Sequence, residues 1–287
     1  PGHRVQLLQG AQELFPALVR AMDAARTSVL LETYIFDTTG AGADIARALA
    51  RAAARGVRTQ LVVDGVGTGR LPAHWFAHLR SAGVQVRVYA PLGPLGLLLP
   101  GQWRRLHRKL CVVDGTVLFC GGINILDDFH DPHFGALPAP RFDFAVRTEG
   151  ALVAQAQATM EQLWWRLQAV HDARHYHLPQ AVQALREAGV GLHMGMGQRT
   201  RSRTRAHSAH GLGMRAALLL RDNLRHRSRS ERAYRRAIAM AREDIIIANA
   251  YFLPGGKLRR ALVLAAQRGV RVRLLLQGRY EYFMPHH

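Results

Sequence analysis

Apolar and polar positions along this chain follow two periods that take turns from the first residues onward. In "AQELFPALVRAMDAA" (11–25) apolar residues recur every three or four positions, which predicts a helix with one buried stripe. "SVLLETYIF" (28–36) is a short, nearly unbroken apolar run and predicts a buried strand. "ADIARALARAAARG" (43–56) predicts a second helix closed by Gly56, and "VRTQLVVDG" (57–65) the next strand. "HWFAHLRSAG" (74–83) and "VQVRVYA" (84–90) repeat the helix–glycine–strand phrase. Such alternation predicts an α/β fold.

The phrase returns late in the chain. "ARTSVLLETYIF" (25–36) resembles "AREDIIIANAYF" (241–252), and "AAARGVRTQLVVDG" (52–65) resembles "AAQRGVRVRLLLQG" (265–278). The two offsets, 216 and 213 residues, nearly agree, which predicts a duplicated unit. "LLQG" (7–10) has a weaker counterpart in "LLRD" (219–222). The expected organisation is a first repeat over 1–170, a linker or insertion over 171–214, and the start of a second repeat over 215–287. The linker is rich in His and Arg, as in "GQRTRSRTRAHSAHG" (197–211), and is expected to be solvated or to rest on anionic headgroups. His171, His175 and His177 lack the carboxylate or Cys support that a metal site needs.

Charge changes this picture more than composition does. At 48% hydrophobic and 21% charged the chain is ordinarily globular, but its net charge of +19 favours anionic partners: nucleic acid, an acidic membrane face or a phosphate-bearing substrate. Codon bias accounts for the choice of Arg over Lys, though not for the excess of base over acid. Cys111 and Cys120 form no disulfide framework and no zinc spacing, so a reduced cytosolic setting is expected. No apolar run approaches the roughly 20 residues of a membrane span. No signal peptide is visible, and the chain begins at Pro1 rather than Met, so residues are expected ahead of it.

Only two lysines occur, Lys109 and Lys257. Lys109 lies in "LHRKLCVVDGTVLFCGGIN" (106–124), whose alternation predicts two strands turning at Asp114–Gly115. His107, Lys109 and Cys111 would then share one face of the first strand. An imidazole beside an ammonium, with the Asn124 amide after Gly121–Gly122, suits attack on phosphorus: the imidazole as nucleophile, the cation and amide holding the charged oxygens. Lys supplies a compact point charge there, unlike the planar fork of Arg. On spacing alone, His107 and Lys109 could equally be the edge of an ordinary strand.

The pattern His-x-Lys-x4-Asp followed by Gly-Gly-x-Asn, present as His107, Lys109, Asp114, Gly121, Gly122 and Asn124, resembles the phospholipase D superfamily. "LLETYIF", "HRKLCVVDG", "GGIN" and "RFDFAVRTEG" resemble its bacterial cardiolipin synthases of the type without N-terminal transmembrane helices. The resemblance covers nearly the whole chain outside the linker. It implies a duplicated α/β sandwich whose second repeat is incomplete here. It also implies a phosphatidyltransferase that passes a phosphatidyl group through a phosphohistidine at His107, most simply turning two phosphatidylglycerols into cardiolipin and glycerol. Lys109 and Asn124 would bind the phosphoryl oxygens, Gly121 and Gly122 would let substrate approach the backbone, Asp143 would orient His107, and Asp114 would brace the motif. No metal or cofactor is implied. The enzyme would sit peripherally on the cytoplasmic side of the cell membrane, on anionic phospholipid. The alternatives are a phosphodiesterase acting on nucleic acid and an inactive half-site.

The family pairs two such motifs, the second protonating the leaving group. The repeat offset puts the partner of His107 near position 320, and no second His-x-Lys-x4-Asp occurs in 215–287, where only His286 and His287 end the chain. Truncation is the expected reason, with pairing of two copies of His107 in a dimer the alternative. "PLGPLGLLLPGQW" (91–103) is expected to be an apolar lip at the membrane, with Trp103 at the interface. "DGVGTGR" (64–70) is expected to be a turn near the cleft, and Trp164 and Trp165 core or interface residues. Glu32, in an apolar run, either pairs with a buried Arg or lines the cleft.

Overall fold

The computed structural model describes residues 2–91, 105–131, 135–174, 177–196, 213–219, 229–250 and 252–277. It forms two compact units, 1–217 and 218–287. The first opens with β1 (Arg4–Gln9), α1 (Gly10–Ala24), β2 (Ser28–Thr33), α2 (Gly42–Ala54), β3 (Arg58–Asp64), α3 (Ala73–Ser81) and β4 (Gln85–Tyr89). It continues with β5 (Leu110–Val113), β6 (Val117–Gly121), the short pair β7 (His130–Asp131) and β8 (Gly135–Ala136), β9 (Phe144–Glu149), α4 (Leu152–Arg174) and α5 (Leu178–Met196).

Seven strands form one sheet in the order β1-β9-β6-β5-β2-β3-β4. The β2, β3 and β4 strands run parallel, as the helical crossovers α2 and α3 require, and the remaining neighbours are antiparallel. Because strand side chains alternate, β2 serves two layers. Val29 and Leu31 face Leu18, Ile45, Leu49 and Leu79 of α1, α2 and α3 in the main core. On the other face Val62, Leu106 and Trp164 form a smaller cluster beneath α4. Trp164 is thus a core residue, as expected, and Trp165 packs partly buried against the same cluster. In α5, Ala181, Ala184 and Ala188 are buried at helical spacing, and this helix packs on α4. Residues 178–196, assigned to a solvated linker by composition, are therefore helical, because a small-residue stripe within them finds a partner.

The hairpin forms where expected. Asp114 and Gly115 both take left-handed backbone angles, φ +50° and +63°, and Thr116 N–H donates to the Val113 carbonyl at 3.0 Å. The first strand of the hairpin begins only at Leu110, however, so His107 and Lys109 lie in an extended segment ahead of the ladder rather than on the expected strand.

The second unit contains α6 (Arg229–Met240), β10 (Asp244–Asn249), α7 (Gly256–Gln267) and β11 (Arg271–Leu276), with β10 and β11 parallel. Its core is Ile238, Ile245, Leu262, Ala265 and Val270. The β10–α7–β11 unit repeats β2–α2–β3 closely. Ser28 pairs with Arg58 and Asp244 with Arg271, and Gly56 and Gly269 close their helices at φ +85° and +86°. The apolar segment 92–103, the basic run 197–211, His175 and the terminal His286–His287 lie outside the described residues.

Candidate functional site

Residues 106–109 make no ladder of their own, so each is held from elsewhere. Leu106 is buried, and its N–H donates to Asp64 Oδ2 at 2.7 Å. The same carboxylate accepts the N–H groups of Val66 and Gly67 through Oδ1, at 2.8 and 3.1 Å, and lies 3.6 Å from the Arg105 guanidinium. Asp64, at the end of β3, is fully buried and joins the 64–68 turn to the residue before His107. The Arg108 Nε sits 3.0 Å from Glu32 Oε2, and the Lys109 carbonyl accepts from Gly121 N–H at 3.3 Å. His107 packs its ring on that of Tyr34, with centroids 4.7 Å apart and planes tilted by 35°.

His107 and Lys109 come together as their spacing suggests, the ammonium 3.3 Å from His107 Nδ1. Lys109 Nζ also lies 5.4 Å above the Tyr34 ring, within cation–π range. His107 keeps exposed area, yet Tyr34 covers part of its ring. That loss of water lowers its pKa, the Lys109 charge lowers it further, and Asp64 opposes both. Burial lowers the Lys109 pKa, and Asp143 opposes that. Behind Lys109 is a cavity of ≈ 20 Å³ lined by Leu14, Leu31, Cys111, Phe119 and Ala145. It suits about one water and is too small for a substrate.

Asn124 Oδ1 accepts the Ile35 N–H at 3.1 Å. With its carbonyl oxygen committed, the amide NH2 is the end left to donate to a ligand. Asp143 accepts its neighbour Phe144 N–H at 2.7 Å; burial raises its pKa, while that bond and the Lys109 charge lower it. Among the described residues no hydrogen bond joins Asp143 to His107. The carboxylate whose charge raises the His107 pKa is Asp64, while that of Asp143 raises the Lys109 pKa.

Asp114 stands at the far end of β5, roughly 16 Å of strand from Lys109. Its carboxylate accepts the N–H groups of Arg26, Thr27 and Ser28 at 2.8–2.9 Å and the Thr27 hydroxyl at 2.9 Å. Burial alone would raise its pKa, but these bonds hold it below the ordinary value. It braces the hairpin against β2 and does not join the site. A Cβ on Gly121 would fall 2.5 Å from the Ala145 Cα, and one on Gly122 would meet the Asp143 carboxylate. The space beside both glycines is filled by β9 and Asp143, so close packing requires glycine there.

Glu32 answers the choice left open by its sequence context. It is 1% exposed, paired with Arg108 on the α4 side, and burial pushes its pKa up to about 7 against the pull of Arg108. The sequence reading missed Asp64 and Tyr34. The available signals were an aspartate ending a strand ahead of Gly-Val-Gly-Thr-Gly and a tyrosine in an apolar run. Among the described residues no cluster of His, Cys, Asp and Glu is arranged to hold a metal, and no helix is long and apolar enough to cross a membrane.

Residues 18–137 match the family described as cardiolipin synthase, phospholipase D-like domain. Cardiolipin synthase B of Escherichia coli K12 is 33% identical over 286 residues, covering 96% of this chain and 60% of that protein. Cardiolipin synthase A of Pseudomonas syringae pv. syringae is 29% identical over 285 residues, covering 98% of this chain and 52% of that protein. The chain therefore spans 60% of the first of these relatives and 52% of the second. Among solved structures, polyphosphate kinase from Porphyromonas gingivalis matches 95% of this chain and 34% of its own, with a TM-score of 0.52 at 12% identity, a likeness of fold alone.

Proposed function

We propose that this chain is a phospholipase D superfamily member of the cardiolipin synthase branch, and that it transfers phosphatidyl groups between glycerophospholipids through His107. The observation that carries the reading is the juxtaposition of the His107 imidazole and the Lys109 ammonium, 3.3 Å apart.

In this reading the unprotonated imidazole nitrogen of His107 attacks phosphorus of phosphatidylglycerol. An N–P bond forms, the P–O bond to the headgroup glycerol breaks, and the glycerol oxygen takes up a proton. The lowered pKa of His107 keeps its lone pair available at neutral pH. Lys109 and Asn124 donate to the non-bridging oxygens as their charge grows. A hydroxyl of a second phosphatidylglycerol then attacks phosphorus, giving cardiolipin and freeing His107. The resemblance assigns the proton transfers at the leaving and entering oxygens to a second motif of the same kind. We assign the unit holding β1 to α4 to a first repeat and the β10–α7–β11 unit to the opening of a second. The substrate is taken from the cytoplasmic face of an anionic membrane, to which the net charge of +19 draws the protein.

The test uses vesicles of phosphatidylglycerol labelled at phosphorus. Alkaline quenching should leave an alkali-stable, acid-labile label on the wild-type protein and none on His107→Asn. Labelled cardiolipin should accumulate at long times. Stable labelling absent in both proteins, or competition of the reaction by DNA, would turn the reading toward a phosphodiesterase.

A further inference from the structure

We propose that Tyr34 is a positioning residue for the His107 imidazole, its ring held in place by the bare α-carbon of Gly67. The proposal rests on the transfer reading above only where activity is measured.

Four observations converge on this ring. The rings of Tyr34 and His107 lie 4.7 Å apart, and the Lys109 ammonium lies 5.4 Å from the Tyr34 ring centre. One side chain thus touches both groups of the His-x-Lys pair. A Cβ on Gly67 would fall 2.5 Å from the Tyr34 carbonyl oxygen and 2.7 Å from two of its ring carbons, so the ring packs where any other residue would place an atom. Thr68 fastens the backbone of the same segment: its hydroxyl donates to the Tyr34 carbonyl and accepts from Phe36 N–H, both at 3.0 Å. Asp64 secures the other side, accepting Gly67 N–H at 3.1 Å and Leu106 N–H at 2.7 Å. The 64–68 turn therefore grips both the residue before His107 and the ring on which His107 rests.

Such a device is needed because His107 lies ahead of β5, where no ladder fixes its neighbours and its side chain keeps exposed area. An imidazole free to rotate about its side-chain bonds would spend little time aligned for in-line attack, and alignment is a large part of such a rate. Gly67 is not in the left-handed region, so an alanine there acts through the clash with Tyr34 and not through backbone strain.

The experiment compares wild type with Tyr34→Phe, Tyr34→Leu and Gly67→Ala. Ring-proton resonances of His107 are assigned by their loss in His107→Asn. A stacked aromatic ring displaces these resonances. The displacement should persist in Tyr34→Phe, vanish in Tyr34→Leu and shrink in Gly67→Ala. With phosphatidylglycerol vesicles, Tyr34→Leu should lower kcat about tenfold with KM within about twofold. Its acid limb should move up toward the ordinary histidine value of about 6.5, and Tyr34→Phe should recover most of kcat. Unchanged His107 resonances in Tyr34→Leu overturn the proposal. So does a lost displacement with kcat and the acid limb unmoved. A wild-type protein without transferase activity overturns the proposed function instead, and the resonances alone then decide for or against Tyr34.

Discussion

The β2–α2–β3 unit and the β10–α7–β11 unit are one backbone phrase in two settings. Their joining hydrogen bonds correspond: Arg58 N–H donates to the Thr27 carbonyl at 3.1 Å, and Arg271 N–H to the Glu243 carbonyl at 2.8 Å. Every residue of β2 is buried, since β3 and β5 flank it and helices cover both faces. In β10, with β11 as its neighbour in the sheet, only Ile245 is buried, and Ile246 is 65% exposed. Frame residues repeat at matching positions: Arg26 and Arg242, Phe36 and Phe252, Gly56 and Gly269. The residues that support His107 do not, for Glu32, Tyr34 and Asp64 correspond to Ala248, Ala250 and Gln277. Repetition preserves what a βαβ unit needs in order to fold and leaves the site-building positions free to differ.

The two lysines give the sharpest contrast between the units. Lys109→Ala should lower kcat for phosphatidyl transfer by about 10²–10³-fold, the usual effect of removing one donor to a charged transition state. Lys257→Ala, on the exposed start of α7, should leave the rate unchanged. Comparable losses in both would break the division of frame from chemistry.

Next in size is Glu32. Its pKa is about 7 when folded against an unfolded value of 4.5, so the folded state holds a proton that the unfolded state releases between those values. Stability from this group is complete below 4.5 and is lost as pH rises through about 7, a total of about 3 kcal/mol. Glu32→Gln should remove that slope from denaturant melts taken between pH 4 and 8. Its counterpart Ala248→Glu, at an exposed position, should add none.

Asp114→Ala leaves three N–H groups and a hydroxyl without their acceptor, and should cost about 2 kcal/mol in a chemical melt. Activity should fall only as far as the folded fraction does. A collapse of activity in fully folded protein would return Asp114 to the site. Smallest are Gly56→Ala and Gly269→Ala, each about 1 kcal/mol for placing a Cβ in the left-handed region with nothing nearby to clash. The two costs should match, because the two turns do.

What sequence discloses here divides along the same line. The β2, α2 and β3 elements, the closing Gly56 and the Asp114–Gly115 turn were all legible, because each rests on a local period or on a residue suited to positive φ. The placement of His107 and Lys109 ahead of β5 was not, because it depends on Asp64, Glu32 and Tyr34, tens of residues earlier in the chain. The nature of the Gly-Gly pair was also hidden. Its packing against Ala145 and Asp143 lies beyond the reach of any local pattern. Residues 178–196 read as linker because the His/Arg-rich run at 197–211 coloured the whole of 171–214, while the alanine stripe that seats α5 on α4 is faint by comparison.

The pairing of β1 with β9, Arg4 against Glu149, has a consequence for how the molecule comes into being. Strand β1 leaves a ribosome well ahead of β9 and must wait for nearly the whole unit to follow before it meets that neighbour. Ala11 N–H likewise awaits Asp128, and Arg26, Thr27 and Ser28 await Asp114. Pairings so distant in sequence slow folding and leave strand edges open meanwhile. The nascent chain should therefore be a chaperone client until Glu149 has emerged.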